Sequence, residues 1–373
     1  MGLMFRLLMR PVLSIQDSEK AHSRIIRLLR FFTSNPITRF PIKAIYKPKK
    51  ELPVKIFGSQ YIHPFGLAAG MDKKAEAIRG WETLGVGFIE IGGVTKIGQE
   101  GNPKPRMFRS YSSKSLINRM GFNNPGSEKM RLNLMKHFEK FGKPNIPLWI
   151  NLGKSKVTPL DKAHEDYSST FELLWEFGDV FVINVSSPNT PNLRDLQNDK
   201  SLERIIQSCQ KINEKMATKN DQNEKPILIK IAPELDDEQL KAVVETARKN
   251  DCKGIVATNT TTSRPDSNSK HEELVFMQEG GLSGLPLKDI STEFISKIYN
   301  MTEGNWPIIG VGGIMNADDA WDKITAGATL LQAYSGFVFE GASISKSIVN
   351  GLQQKLDEHG LSKIEEAVGL AHR

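Results

Sequence analysis

The chain has 373 residues, with 50 Lys plus Arg against 43 Asp plus Glu, a formal net charge of +7 and 39% hydrophobic residues. This size and composition fit one large globular domain with an appendage, or two domains, and exclude a disordered chain. The two cysteines, Cys209 and Cys252, and seven scattered histidines argue against a disulfide framework or a zinc site, so a reducing compartment and no metal are expected.

The positive charge is local. Residues 1 to 50 hold eleven Lys or Arg against Asp17 and Glu19, which leaves the remainder near neutral. No aromatic-interleaved basic groove follows, so no nucleic-acid partner is expected. Over Met1 to Ile15 the apolar residues are interrupted by Arg6, Arg10 and Pro11, well short of the ~20 uninterrupted residues a membrane-spanning helix needs. From His22 to Phe32 the helical period places Ile25, Leu28, Leu29 and Phe32 on one face and Arg24, Arg27 and Arg30 on the other. With the apolar segment Met4 to Ile15, this predicts a small unit that docks on a membrane surface, its arginines facing anionic headgroups. The other readings are a helix that packs on the main domain with its arginines solvated, and an organelle transit peptide. With neither a long transit peptide nor a spanning helix, the expected location is peripheral, on the cytoplasmic side of a bacterial inner membrane. Residues 1–45 are assigned to this extension and 46–373 to the main domain.

From residue 60 onward, short apolar runs alternate with helix-period segments. Eight strands are predicted: Phe65 to Ala69, Phe88 to Gly92, Pro147 to Leu152, Val180 to Val185, Ile227 to Ile231, Gly254 to Thr258, Ile308 to Val311 and Leu330 to Tyr334. A helix is predicted after each, the first over Lys74 to Leu84 and the last over Ser343 to Glu358. Eight strand-then-helix repeats predict a (β/α)8 barrel, whose functional groups lie at the C-terminal strand ends. An open doubly wound sheet is the alternative, weakened because no G-x-G-x-x-G opens a helix after the first strand.

Polar residues fall where a barrel mouth would hold them: Asp72 and Lys73, Thr95, Asn151, Asn184 to Asn189, Lys230, and Thr258 to Thr260. The run from Asn184 to Arg194 is the densest, placing amides, hydroxyls and a guanidinium behind an apolar strand, and it suits a planar, amide-bearing ligand. Gly312-Gly313 after the seventh strand and Tyr334-Ser335-Gly336 after the eighth stand where barrels commonly grip a phosphate, with Gly284 a further candidate. Lys73 and Lys230 would bring positive charge to an anionic substrate or an electron-rich cofactor.

The strings GLAAGMDK, INRMGFNN, NVSSPNTPNLR, IKIAPEL, ATNTT, GGLSG and PIIGVGGI occur in that order. Over about residues 15 to 350 the chain resembles the membrane-associated, quinone-using dihydroorotate dehydrogenases. The resemblance implies an FMN enzyme that oxidises (S)-dihydroorotate to orotate in pyrimidine synthesis and passes the electrons to a membrane quinone. By similarity Ser187 is the catalytic base. The substrate is met by Lys73, the stretch Asn118, Arg119, Met120, Gly121 and Phe122, and by Asn184, Asn189, Asn259 and Thr260. FMN is met by Ala69, Gly70, Lys73, Gly93, Asn151, Asn184, Lys230 and Thr258, and its phosphate by Gly284, Gly313, Tyr334 and Ser335. Arg109 matches a contact to the quinone head group, and no protein partner is implied. Gly93 departs from a common hydroxyl residue, for which Thr95 or a backbone contact could substitute, and Ala75 departs from a common glycine. The competing readings are an FMN barrel acting on another dihydropyrimidine with a soluble acceptor such as fumarate, and a non-catalytic, membrane-attached barrel that binds a phosphorylated ligand.

Overall fold

The computed structural model describes residues 10–373. All eight predicted strands form, as β1 (Phe65–Leu67), β2 (Ile89–Val94), β3 (Leu148–Leu152), β4 (Val180–Asn184), β5 (Ile227–Lys230), β6 (Gly254–Ala257), β7 (Ile308–Val311) and β8 (Leu330–Ala333). Each is parallel to its sequence neighbour, and β8 pairs with β1 through Leu331 opposite Phe65, which closes the barrel and rules out the open sheet. The strands are buried along their whole length apart from Gly93 in β2, as a sheet covered by side chains inside and helices outside requires.

The helical ring follows the predicted order, with one shortened member. The segment after β1 is helical only over Ile78–Thr83. The Asp72 carboxylate accepts the amide N–H groups of Glu76 and Ala77, both at 2.8 Å, and Ala75 has φ +55°. The chain therefore turns before the helix starts. A left-handed conformation is where glycine costs least, which gives a backbone reason for the glycine that Ala75 replaces.

Three features lack a strong sequence signature. A hairpin of Val54–Ile56 and Ser59–Tyr61 turns through Phe57 and Gly58, both at positive φ, and places the Tyr61 hydroxyl oxygen to accept the Trp149 indole N–H at 3.1 Å. A three-stranded antiparallel sheet of Met107–Ser110, Ser115–Asn118 and Gly281–Gly284 stands beside the barrel mouth. A helix over Pro36–Tyr46, capped by Asn35 and interrupted in pattern by Pro41, follows the predicted N-terminal helix.

That N-terminal helix spans Ser18–Ser34, longer than its apolar stripe, because Asp17 caps it through the Lys20 N–H at 2.9 Å. Its apolar residues are divided. Ile26 is buried and Leu29 packs so closely on Gly80 that a Cβ there would lie 2.4 Å from the Leu29 side chain. Leu28, Phe31 and Phe32 remain exposed, joined by Ile37, Phe40 and Ile45 of the next helix. Of the apolar segment expected over Met4 to Ile15, residues 4 to 9 lie outside the described residues. No helix among the described residues is long and apolar enough to cross a membrane.

Candidate active site

The C-terminal ends of the strands open into a cleft connected to solvent. Most of the residues singled out in the sequence line it: Ala69, Gly70, Lys73, Gly93, Asn118, Met120, Gly121, Phe122, Asn151, Asn184, Ser187, Asn189, Lys230, Thr258, Asn259, Thr260, Gly284, Gly312, Gly313, Tyr334, Ser335 and Gly336. Strands β3 to β5 supply Asn151, Asn184 and Lys230 directly, and the loops after β4 and β6 supply Ser187, Asn189 and Asn259.

A connected set of side-chain amides crosses the barrel. Asn184 Nδ2 donates to Asn151 Oδ1 at 3.0 Å, and Asn184 Oδ1 accepts Asn259 Nδ2 at 3.3 Å and the Ser186 hydroxyl at 3.0 Å. Tyr167 from an outer helix steadies Asn184 by donating its hydroxyl to that residue's carbonyl at 2.8 Å. Asn189 Nδ2 donates to Asn118 Oδ1 at 3.1 Å, so the loop after β4 reaches across to the side sheet. Counting bonds, Asn184 keeps an N–H to spare, whereas Asn259 Oδ1 takes the Thr260 N–H at 2.8 Å and the Thr260 hydroxyl only at 3.5 Å, a long contact that a ligand donor can replace. A donor beside an acceptor is the complement of a ring edge carrying one carbonyl and one N–H.

Ser187 is buried at 9% exposure, and its Oγ accepts the Asn189 N–H at 3.3 Å. Arg194 holds this loop by donating to the Ser186 carbonyl at 3.2 Å and the Thr260 carbonyl at 3.2 Å while pairing with Glu234 at 3.0 Å. Lys230 is buried at 5% exposure, and no described residue bonds its ammonium. Lys73 is half-buried, and burial pulls its pKa down to about 8 against the attraction of Glu19. Lys73 and Lys230 thus bring positive charge to the cleft, a setting that favours an anion or an electron-rich ring.

Several residues singled out in the sequence face away from the cleft or are engaged elsewhere. Arg119 turns its guanidinium out of the cleft, onto the Pro105 carbonyl at 2.9 Å and the Phe108 ring at 4.7 Å. Arg109 does not line the cleft either: it donates to the carbonyls of Leu13 at 3.0 Å and Gln16 at 2.7 Å, tying the N-terminal segment to the side sheet. Asp72 is spent on the turn that precedes the helix, and Thr95 on the Ile97 carbonyl at 2.6 Å and Asn124 at 2.8 Å, so Thr95 does not substitute for a side chain at Gly93. At Gly93 a Cβ would lie 2.7 Å from the Phe122 ring and 2.9 Å from Asn151 Oδ1. Phe122 occupies the room a hydroxyl side chain would need, leaving backbone contact at that position.

The structure also adds residues. His22 of the N-terminal helix stacks on Tyr334 with ring centroids 6.4 Å apart, and burial and the nearby Lys73 charge push its pKa down to about 3, so the ring is neutral. Ser283 lines the cleft and shares a 2.8 Å hydroxyl contact with Ser335. Gln332 also lines it; a glutamine inside the apolar run of β8 was the available signal. No group of three or more His, Cys, Asp or Glu among the described residues could hold a metal ion.

The family model for dihydroorotate dehydrogenase matches residues 51–356. The chain belongs to the dihydroorotate dehydrogenase family. It is 43% identical to the dihydroorotate dehydrogenase (quinone) of Gloeobacter violaceus, over 98% of both chains, and 46% identical to that of Rippkaea orientalis, over 85% of this chain and 83% of the relative. Among solved structures it is similar to DHODH from Eimeria tenella in complex with ferulenol, with a TM-score of 0.83, 34% identity and coverage of 95% of this chain and 96% of that one.

Enzymes of this family carry a flavin in general, and the cleft fits one. At Gly284 (φ +97°) a Cβ would lie 2.1 Å from the Lys114 carbonyl, and at Gly313 (φ +73°) 2.4 Å from Lys288 Cα. Both turns therefore require glycine and bring bare backbone to the cleft wall, as close approach to a phosphate demands. The buried Gln332 Oε1 has no partner, and the unpaired Lys230 ammonium supplies a cation.

Proposed function

We propose that this chain oxidises (S)-dihydroorotate to orotate in pyrimidine biosynthesis, using FMN as its cofactor and a membrane quinone as its electron acceptor. The observation that carries the reading is the convergence of Asn118, Asn184, Asn189 and Asn259 around Ser187, above two lysines, in one cleft. Bound FMN would supply the hydride acceptor for the hydrogen leaving carbon 6.

Ser187 takes the proton from carbon 5. The Asn189 N–H directed at its Oγ supports negative charge as it develops there, and Thr190 or water passes the proton on, since among the described residues no histidine or carboxylate bonds the hydroxyl. The spare donor of Asn184 and spare acceptor of Asn259 orient the amide edge of the ring. Lys73 answers the substrate's carboxylate, and Lys230 supplies charge to FMN. Gly284, Gly313, Tyr334 and Ser335 hold the FMN phosphate, with Ala69, Gly70 and Thr258 along the ring.

The exposed Leu28, Phe31, Phe32, Ile37 and Phe40, flanked by Arg24, Arg27 and Arg30, support peripheral docking on the cytoplasmic face of the membrane. Arg109 then helps shape the quinone entrance by anchoring the chain at Leu13 and Gln16. A direct assay decides the acceptor: purified protein should form orotate with a short-chain quinone. Turnover with fumarate and none with quinone would overturn the class, and a colourless preparation would overturn the flavin.

A further inference from the structure

Beneath the cleft, Glu90 of β2 is completely buried and holds two side-chain amides at once. Its Oε1 accepts Asn151 Nδ2 at 2.6 Å and its Oε2 accepts Gln332 Nε2 at 2.6 Å. Both oxygens face nitrogens, the arrangement of an acceptor-only carboxylate.

The two amides differ in what else restrains them. Asn151 Oδ1 accepts from Asn184, whose own Oδ1 accepts the backbone N–H of Ser186 at 3.3 Å as well as Asn259; Asn259 Oδ1 in turn accepts the backbone N–H of Thr260. Backbone donors cannot turn over, so the far end of this chain of amides fixes Asn151 independently of Glu90. Among the described residues Gln332 has only Glu90. With Nε2 committed to that carboxylate, its Oε1 faces the other way, buried and without a partner, on a side chain that lines the cleft. Interiors seldom leave such an acceptor empty.

We propose that Gln332 is a further cofactor-contacting residue, whose Oε1 accepts a hydrogen bond from an N–H or O–H donor of the bound flavin, and that Glu90 is the positioning residue that keeps this amide turned acceptor-outward. This rests on the flavin reading given under Proposed function. Nothing in it requires Glu90 to touch the cofactor.

The assignment makes an unusual demand on substitutions. In Glu90→Gln, the new amide must offer its oxygen to Asn151, whose direction is fixed, and its nitrogen to position 332. Gln332 then turns over and presents N–H groups where it had presented an acceptor. In the double variant Glu90→Gln/Gln332→Glu, a carboxylate at position 332 accepts the new amide with one oxygen and shows the other to the cleft. The acceptor is restored with the same net charge.

The test follows FMN release from each holoenzyme on dilution, by the rise in free-flavin fluorescence, alongside the melting temperature. Glu90→Gln should weaken retention about tenfold or more, and the double variant should return to within about threefold of the parent. A purely structural role for Glu90 would not be rescued by moving its carboxylate. Unchanged retention in Glu90→Gln, or a double variant no better than the single one, would overturn the proposal. Should the single variant fail to fold, the double variant decides alone: retention within about threefold supports the assignment and a loss of about tenfold or more overturns it. A parent protein that purifies without flavin would instead refute the functional reading on which the assignment rests.

Discussion

Substituting Glu19 tests how the N-terminal helices are held over the cleft. Its carboxylate receives two bonds from Arg106, at 2.9 Å from Nε and 2.6 Å from Nη2, with Lys104 at 3.7 Å. Arg106 is only 5% exposed, and its remaining Nη1 donates to the carbonyls of Glu100 at 2.6 Å and Asn102 at 2.8 Å, so it cannot swing away to water. Burial opposes ionisation of Glu19, but the Arg106 hydrogen bond and charge outweigh it and hold the carboxyl below the ordinary glutamate range. Breaking a fully buried pair costs about 3–5 kcal/mol; with Glu19 at the edge of solvent we expect about 2 kcal/mol for Glu19→Gln. That corresponds to roughly a 30-fold rise in the fraction of molecules with the helices undocked. Hydrogen exchange should show faster exchange over Ser18–Ser34 and Pro36–Tyr46 with the barrel strands unchanged. Quinone reduction should fall while reduction of a soluble dye persists. Because the folded carboxyl is the more acidic one, this contribution is present above the ordinary glutamate pKa and is lost as pH falls through the depressed folded value. Unchanged exchange in the two helices, or equal acceleration in the barrel, would refute the assigned role.

Ser187→Ala should lower dye-coupled turnover by about 10²–10⁴-fold while the flavin absorbance per protein stays the same; undiminished turnover would remove Ser187 as the base. Gly313→Ala places a Cβ 2.4 Å from Lys288 Cα at φ +73°, so both melting temperature and flavin content should drop, with at least about 2 kcal/mol lost in denaturant titration. His63 is buried as a neutral ring, with Nε2 on the Gly85 carbonyl at 3.0 Å and Nδ1 accepting the Phe65 N–H at 3.3 Å, and burial lowers its pKa from 6.5 to about 4. The unfolded state therefore binds more protons between these values, and stability should drop by up to about 3 kcal/mol as pH is lowered through that window. A conservative apolar replacement that leaves the acid slope unchanged would show that another group sets it. Deleting residues 1 to 40 should impair quinone reduction more than dye reduction, and equal loss with both acceptors would count against a docking role.

Much of the barrel could be read from the chain because its signals are local. Each strand is a short apolar run, and each helix outside it has its own period, so the pairs Val180–Asn184 and Ile227–Lys230 were visible without knowing what they touched. The antiparallel side sheet was not, since it joins Ser115–Asn118 to Gly281–Gly284, segments separated by more than half the barrel, and pairing at that range leaves no periodic trace. The same distinction runs through the cleft. Asn184, Ser187 and Lys230 announced themselves as polar residues at strand ends. Thr95 and Asp72 did so equally but are spent on local hydrogen bonds, and sequence position alone does not separate a group facing the cleft from one capping a turn.

By itself, then, the order of residues determined eight strand-and-helix units, the polar rim that ends them, and the basic amphipathic character of the N-terminus, because apolar period and residue type act over a few neighbours. Tertiary structure decided which groups meet: Gln332 of β8 and Asn151 of β3 on the two oxygens of Glu90, His22 on Tyr334, Arg109 on the backbone of Leu13 and Gln16. Barrel closure brings strands distant in sequence to within a hydrogen bond of one another, and only that geometry settles which polar groups are satisfied and which are left free for a ligand.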